Sequence, residues 1–281
     1  MLRAPIPAFV LCCAVVLGCG DDSSGDGDAD GGTAAGSDSA DDADDDADDD
    51  GADATGAVGD DYAETVLGAM WADDMTLVVN GDTIEISSDG YPNHDVLEAY
   101  GLMDNTTIAV VESATSMSIP ASPEYSETTT DTSSGSIGIA ISGGVYFNPY
   151  EGDGVTVAVD NNFDVGGIPF LDSCNGHPLP DGGTYHYHGI PYCITDVVDA
   201  DGAHASLIGL LLDGFAVYGP SGEGGAVPSD LDECSGHNGA TPEFPDGVYH
   251  YHLTESAPYS IPCYHGVVAD QGGGMMPPGG Q

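Results

Sequence analysis

Between Tyr62 and Val268 apolar and polar positions alternate in short runs broken by Gly, Asn, Asp and Pro, the pattern of half-buried strands joined by turns. TLVVNGDTIEI (76–86) sets Asn80 and Gly81 between two such runs, the strongest short-range hairpin signal. Further strands are predicted at TTIAVVES (106–113), SIGIAISGGVYF (136–147), VTVAV (155–159), TYHYH (184–188), SLIGLLL (206–212), FAVYG (215–219) and VYHYHL (248–253). No long segment carries a helical period; HDVLEAY (94–100) is the best helical candidate. The expected fold is mainly β, a β-sandwich-like or irregular antiparallel β domain with many loops. It spans 62–268, as one domain or as two halves, 62–170 and 171–268.

The flanks read differently. Residues 1–19, MLRAPIPAFVLCCAVVLGC, have a basic start, an apolar run and a small residue before Cys19, the order of a lipoprotein signal peptide with Cys19 as the lipidated residue. Gly20 rather than aspartate follows, and by lipoprotein sorting rules this points to the outer membrane of the cell envelope. Residues 20–61 are Asp, Gly, Ala, Ser and Thr around DDADDDADDD, too poor in apolar surface to fold. They read as a disordered acidic linker that, fully extended, reaches about 140 Å. Its aspartates make calcium conceivable, yet they lack EF-hand spacing. Residues 269–281 read as a flexible tail, with Met275 and Met276 as weak soft-metal candidates.

Charge narrows the function. Lys+Arg totals 1 against Asp+Glu 48, and the single cation is Arg3. Nucleic acid is excluded as a partner, because nothing neutralises its phosphates. Lysine Schiff-base chemistry, nucleotides and organic anionic cofactors fall for the same reason. The membrane is reached only through the lipid anchor, and no protein partner is specified. Metal ions are the partners that a chain of carboxylates and nine histidines suits.

Two segments repeat. Cys174, Gly176, His177, Asp181, Gly182, Tyr185, His186, Tyr187, His188 and Cys193 return as Cys234, Gly236, His237, Asp246, Gly247, Tyr249, His250, Tyr251, His252 and Cys263. With SDGYPNH, GSIGIAISGGVYFNP, LIGLLLDGFAVYGP and DLDECSGHNG, these tetrads make residues 85–266 resemble the YHYH domain family of exported bacterial proteins. The resemblance implies grouping and export, with no established activity attached.

On a strand, alternate side chains share a face, so His186 and His188 point one way and Tyr185 and Tyr187 the other. Histidines two apart stand about 6.6 Å apart along the strand and can lean toward one ion. If the two tetrads lie on neighbouring strands, His186, His188, His250 and His252 form one four-imidazole site for copper or zinc rather than calcium. His177 and His237 add ligands or supports; His94, His204 and His265 are weaker candidates. Asp213, in a DG turn, is placed to hold a ring by its free N–H, and Tyr185 and Tyr249 to donate to a bound ligand. Any catalysis would run through the metal, because no GxSxG or HExxH signature is present.

Four cysteines remain after the signal. An even set in an exported chain predicts two disulfides, and because each copy brackets its own tetrad the pairs are Cys174 with Cys193 and Cys234 with Cys263. The rival is a zinc site from Cys174, His177, Cys234 and His237. The leading function is a membrane-tethered, extracytoplasmic protein with a histidine-rich metal site. The alternative is a disulfide-stabilised surface binding module whose histidines are structural, or charge-balancing and pH-responsive, without metal.

Overall fold

The computed structural model describes residues 58–59 and 61–269, all within the unit Asp50–Gln281. The signal peptide with Cys19, nearly all of the acidic linker and the tail with Met275 and Met276 lie outside the described residues. The chain opens with α1 (Tyr62–Leu67) and the hairpin β1 (Thr76–Asn80) and β2 (Thr83–Ser88). Next come the two-residue strands β3 (Tyr100–Gly101) and β4 (Thr107–Ile108), then β5 (Thr115–Pro120) and β6 (Tyr125–Asp131). They are followed by β7 (Ser136–Ala140), β8 (Val145–Phe147), β9 (Asp164–Val165), β10 (Ile168–Pro169), β11 (Gly176–His177), β12 (His186–Tyr187) and α2 (Tyr192–Val198). The last part holds β13 (Leu207–Leu211), β14 (Ala216–Tyr218), a 3-10 turn (Glu223–Gly225), β15 (Gly236–Gly239), β16 (Val248–His252) and β17 (Cys263–Gly266).

The fold is mainly β, as expected, with the Asn80–Gly81 hairpin in place and Gly81 at φ 64°. Gly at that corner takes the left-handed backbone the turn requires. Three expectations fail: TTIAVVES (106–113) is strand only over the two residues of β4, and two others depart further. Residues 94–100 are not helical: the Tyr100 hydroxyl accepts the Leu97 N–H at 3.1 Å and donates to Asp172 at 2.7 Å, tying the segment down as a loop. VTVAV is no strand either; only Val157 forms an isolated bridge, to Tyr150. A helix unforeseen from periodicity, α2, begins after Pro191 and carries Cys193.

The site is positioned by one eight-stranded sheet of order β11-β12-β8-β7-β13-β14-β16-β15. Its order is palindromic. The hairpin β7–β8 matches β13–β14, β12 matches β16 and β11 matches β15, with an antiparallel seam where Ile139 faces Leu210. Registers agree too: His177 faces His186 and His237 faces His250, while Tyr187 pairs in parallel with Tyr146 and Tyr251 with Val217. The sequence repeat is therefore longer than the CxGH and YHYH signals, since residues 137–149 align without gaps on 208–220. Strand β13 is buried along its whole length, and Tyr185, Tyr187, Tyr249 and Tyr251 are buried in the same apolar core.

Candidate metal centres

The sheet order places β12 and β16 in opposite halves, each two strands beyond the central pair. His186 and His188 therefore do not meet His250 and His252. A repeat fixes what each copy looks like but leaves open which strands join the copies, and here β7 and β13 do. Two histidine clusters result, each able to hold a metal ion: His177, His186 and His188 in the first half, and His204, His237, His250 and His252 in the second.

Each half is built by the same scaffold. Asp172, two residues before Cys174, accepts the backbone N–H of Cys174 at 2.8 Å and of Gly176 at 3.1 Å through one oxygen. Its other oxygen accepts the Tyr185 hydroxyl at 2.6 Å. Asp232 does the same for Cys234 and Gly236, both at 2.9 Å, and for Tyr249 at 2.8 Å. A buried phenol must place its O–H on an acceptor, and a carboxylate holding two N–H groups is a rigid one. Tyr185 and Tyr249 thus anchor the strands rather than face a ligand. Their partners in the LDxC motif, Asp172 and Asp232, were visible in the sequence as a repeated spacing.

Asp213 also sits away from the imidazoles. The fully buried carboxylate accepts the Tyr251 hydroxyl at 2.6 Å and the Gly266 N–H at 3.0 Å, and burial pushes its pKa up to about 6. In the gap-free alignment Ser142 takes its place, 2.8 Å from the Tyr187 hydroxyl, which also lies 2.6 Å from Nε2 of His94. The cysteines form Cys174–Cys193 and Cys234–Cys263, which removes the CxxH zinc alternative.

The second centre is the more complete. Nδ1 of His204 faces the Ala205 carbonyl at 2.7 Å, Nδ1 of His250 the Val248 carbonyl at 2.9 Å, and Nδ1 of His252 the Gly219 carbonyl at 2.7 Å. Nδ1 of His237 faces the Asp230 carboxylate at 3.0 Å. Carbonyls and carboxylates only accept, so each neutral ring carries its proton on Nδ1 and presents a bare lone pair at Nε2. The four lone pairs converge: Nε2 of His250 lies 3.3 Å from that of His204, 3.1 Å from that of His237 and 3.1 Å from that of His252. A tetrahedral ion with bonds of roughly 2.0–2.1 Å sets its donors about 3.3–3.4 Å apart. Burial, helped by the neighbouring imidazoles, lowers His250 to about 2 and His252 to about 4, so both stay neutral. His204, a weaker candidate by sequence, is a full member; its signal was absent because it lies outside the CxGH and YHYH elements.

The first centre is more apolar, packed against Phe147 and Phe170. Nδ1 of His186 faces the Thr184 carbonyl at 2.8 Å and Nδ1 of His188 the Asn148 carbonyl at 3.0 Å. Both nitrogens of His177 are buried without a hydrogen-bond partner among the described residues. Phe170 packs on His177 at 4.1 Å between ring centroids, and Phe147 stacks on His186 at 3.8 Å. Burial holds His177 and His186 well below the usual imidazole range and lowers His188 to about 4. A cavity of about 570 Å³ is lined by all three rings together with Leu102, Met103 and Leu179.

Fold and sites define a class: a β domain of internally repeated architecture, with a disulfide and a buried histidine cluster in each half. The chain belongs to the YHYH protein family, whose model matches residues 116–227 and 223–266. No characterised protein and no solved structure matches it significantly. The two disulfides suit an oxidising, extracytoplasmic compartment. Among the described residues no helix is long and apolar enough to cross a membrane.

Proposed function

We propose that this chain is an extracytoplasmic metal-binding protein, tethered to the envelope through Cys19, whose two halves each carry a histidine-ligated ion. The observation that carries the reading is the second centre: the Nε2 atoms of His204, His237 and His252 lie 3.1–3.3 Å from that of His250, all four within 4.8 Å of one another, with every Nδ1 bonded outward. Without a cation these lone pairs repel one another; with one they are a complete donor set. All-nitrogen donors suit zinc or copper, whereas calcium asks for oxygen. The outward Nδ1 bonds are the supports that orient metal-bound imidazoles. The competing reading, a disulfide-held binding module with structural histidines, accounts for the Nδ1 bonds but leaves the converging lone pairs without a counterpart.

Elemental analysis of the full chain tests this. Stoichiometric zinc or copper is expected, with part of it lost in a His250→Ala/His252→Ala variant. If no such metal is present, and added Zn²⁺ or Cu²⁺ leaves the melting temperature of the metal-free protein unchanged, the proposal fails.

A further inference from the structure

The halves share a scaffold but differ at the points that touch the histidines. Extending the gap-free alignment of the hairpins sets Ser133 opposite His204, so the first centre has no fourth imidazole from this position. Ser133 is exposed. Aligning FLDSCNGH on DLDECSGH sets Phe170 opposite Asp230, which explains why His177 has no acceptor where His237 has a carboxylate. Phe147 stands opposite Tyr218, whose hydroxyl lies 3.0 Å from the Thr241 hydroxyl in the second half. At each of these positions the first half lacks a ligand or polar side chain that the second half has, and at two of them an apolar ring stands there instead. The same three histidines line the cavity of about 570 Å³, a size suited to a small organic molecule.

We propose that the first centre, His177, His186 and His188, is an open three-imidazole metal site that takes an uncharged, largely apolar small molecule, bound through one nitrogen or oxygen donor, into this cavity. The inference rests on the metal reading above. Three protein ligands leave a tetrahedral ion one position for an exchangeable group, the arrangement that separates reactive zinc sites from closed structural ones. The occupant's character follows from the walls. Leu102, Met103, Phe147, Phe170 and Leu179 offer apolar contact, and Asp104 and Glu151 are the carboxylates in the lining. No lysine or arginine exists after Arg3 to hold an anionic group, so the only charged side chains an acid or phosphate would meet beyond the metal are carboxylates, with Ser134, Asn148 and Tyr150 as neutral polar neighbours. The second centre, with four imidazoles of its own, has no such vacant ligand position.

The test uses the full chain loaded with Co²⁺, with 4-phenylimidazole as probe and imidazole as its truncated form. One 4-phenylimidazole per chain is expected by equilibrium dialysis, with a change in the visible cobalt bands and binding about tenfold or more tighter than imidazole, because the phenyl ring enters the cavity. Metal-free chain and a His186→Ala chain should bind none, while His250→Ala/His252→Ala should respond as the parent does. Wild-type protein that holds cobalt yet neither binds the probe nor changes its spectrum overturns the open site and leaves the metal reading standing. A response kept in His186→Ala also overturns it, because the probe then sits at the second centre. If wild-type chain binds no cobalt, zinc or copper, both proposals fall together.

Discussion

Lowering the pH of the metal-free protein from 7 to 5 should destabilise it strongly, through its buried imidazoles. His188 and His252 are lowered to about 4 and His250 to about 2, burial being the largest cause in each, against an ordinary value of 6.5. Between pH 6.5 and pH 4 the unfolded chain takes up a proton at each of these rings and the folded chain does not. Stability is thus intact above 6.5 and falls as the pH drops. At pH 5 each ring costs about 2 kcal/mol, and the three together about 6 kcal/mol. His177 and His186, also held low by burial, act in the same direction. Asp213 acts in the opposite sense: raised from 3.8 to about 6, it binds its proton first in the folded state and returns about 1.4 kcal/mol at pH 5. Glu151 and Asp199, raised by burial, add to that offset. The three rings and Asp213 alone give a net loss of about 4–5 kcal/mol, which rivals the whole stability of a small protein. Calorimetry of the metal-free chain should show the melting temperature falling by about 10–20 °C from pH 7 to pH 5, and His188→Gln should remove about 2 kcal/mol, roughly two-fifths, of that loss. A melting temperature that moves by only about 2 °C over this range would refute the reasoning, since it would mean the imidazoles charge freely in the folded state.

Gly236→Ala should lower stability by about 1–3 kcal/mol in denaturant titration, because its new Cβ collides with the Tyr249 hydroxyl; Gly176→Ala meets Tyr185 in the same way. Tyr251→Phe removes a hydrogen bond to a buried carboxylate and should cost about 1.5–3 kcal/mol at pH 7. Its penalty should shrink near pH 5, where Asp213 protonates, and an effect independent of pH would count against the raised carboxyl. Thiol titration of the denatured, unreduced chain should find none of Cys174, Cys193, Cys234 and Cys263 free. Reduction should then cost about 3 kcal/mol per bridge, given loops of 19 and 29 residues.

The β class, the Asn80–Gly81 hairpin and both cysteine pairs were legible because each rests on local chemistry: alternation, a left-handed corner, and a bracket around a repeated tetrad. The separation of the two HxH pairs was not, because strand order is a long-range property and identical copies can meet through any pair of equivalent strands. His204 was overlooked as a principal ligand because it comes from the loop before β13 and its counterpart, Ser133, breaks the repeat. Residues 94–100 read as a helix on their pattern alone, and the distant Asp172 explains why they are not one. Asp213 reads from the sequence as a partner for histidine, yet the strand alternation that turns His250 and His252 to one face delivers Tyr251 to it from the other.

The palindromic order of the central sheet has a consequence for solubility. A single half, ending at β7 or β13, would expose an apolar strand with a full row of unpaired N–H and C=O groups, an invitation to pair with any other chain. Fusing two halves in one polypeptide closes that edge against its own copy. What remains outermost are β11 and β15, two and four residues long, too brief to template a foreign strand. Duplication thus seals the aggregation-prone side of each unit while keeping its histidine cluster toward the outer end.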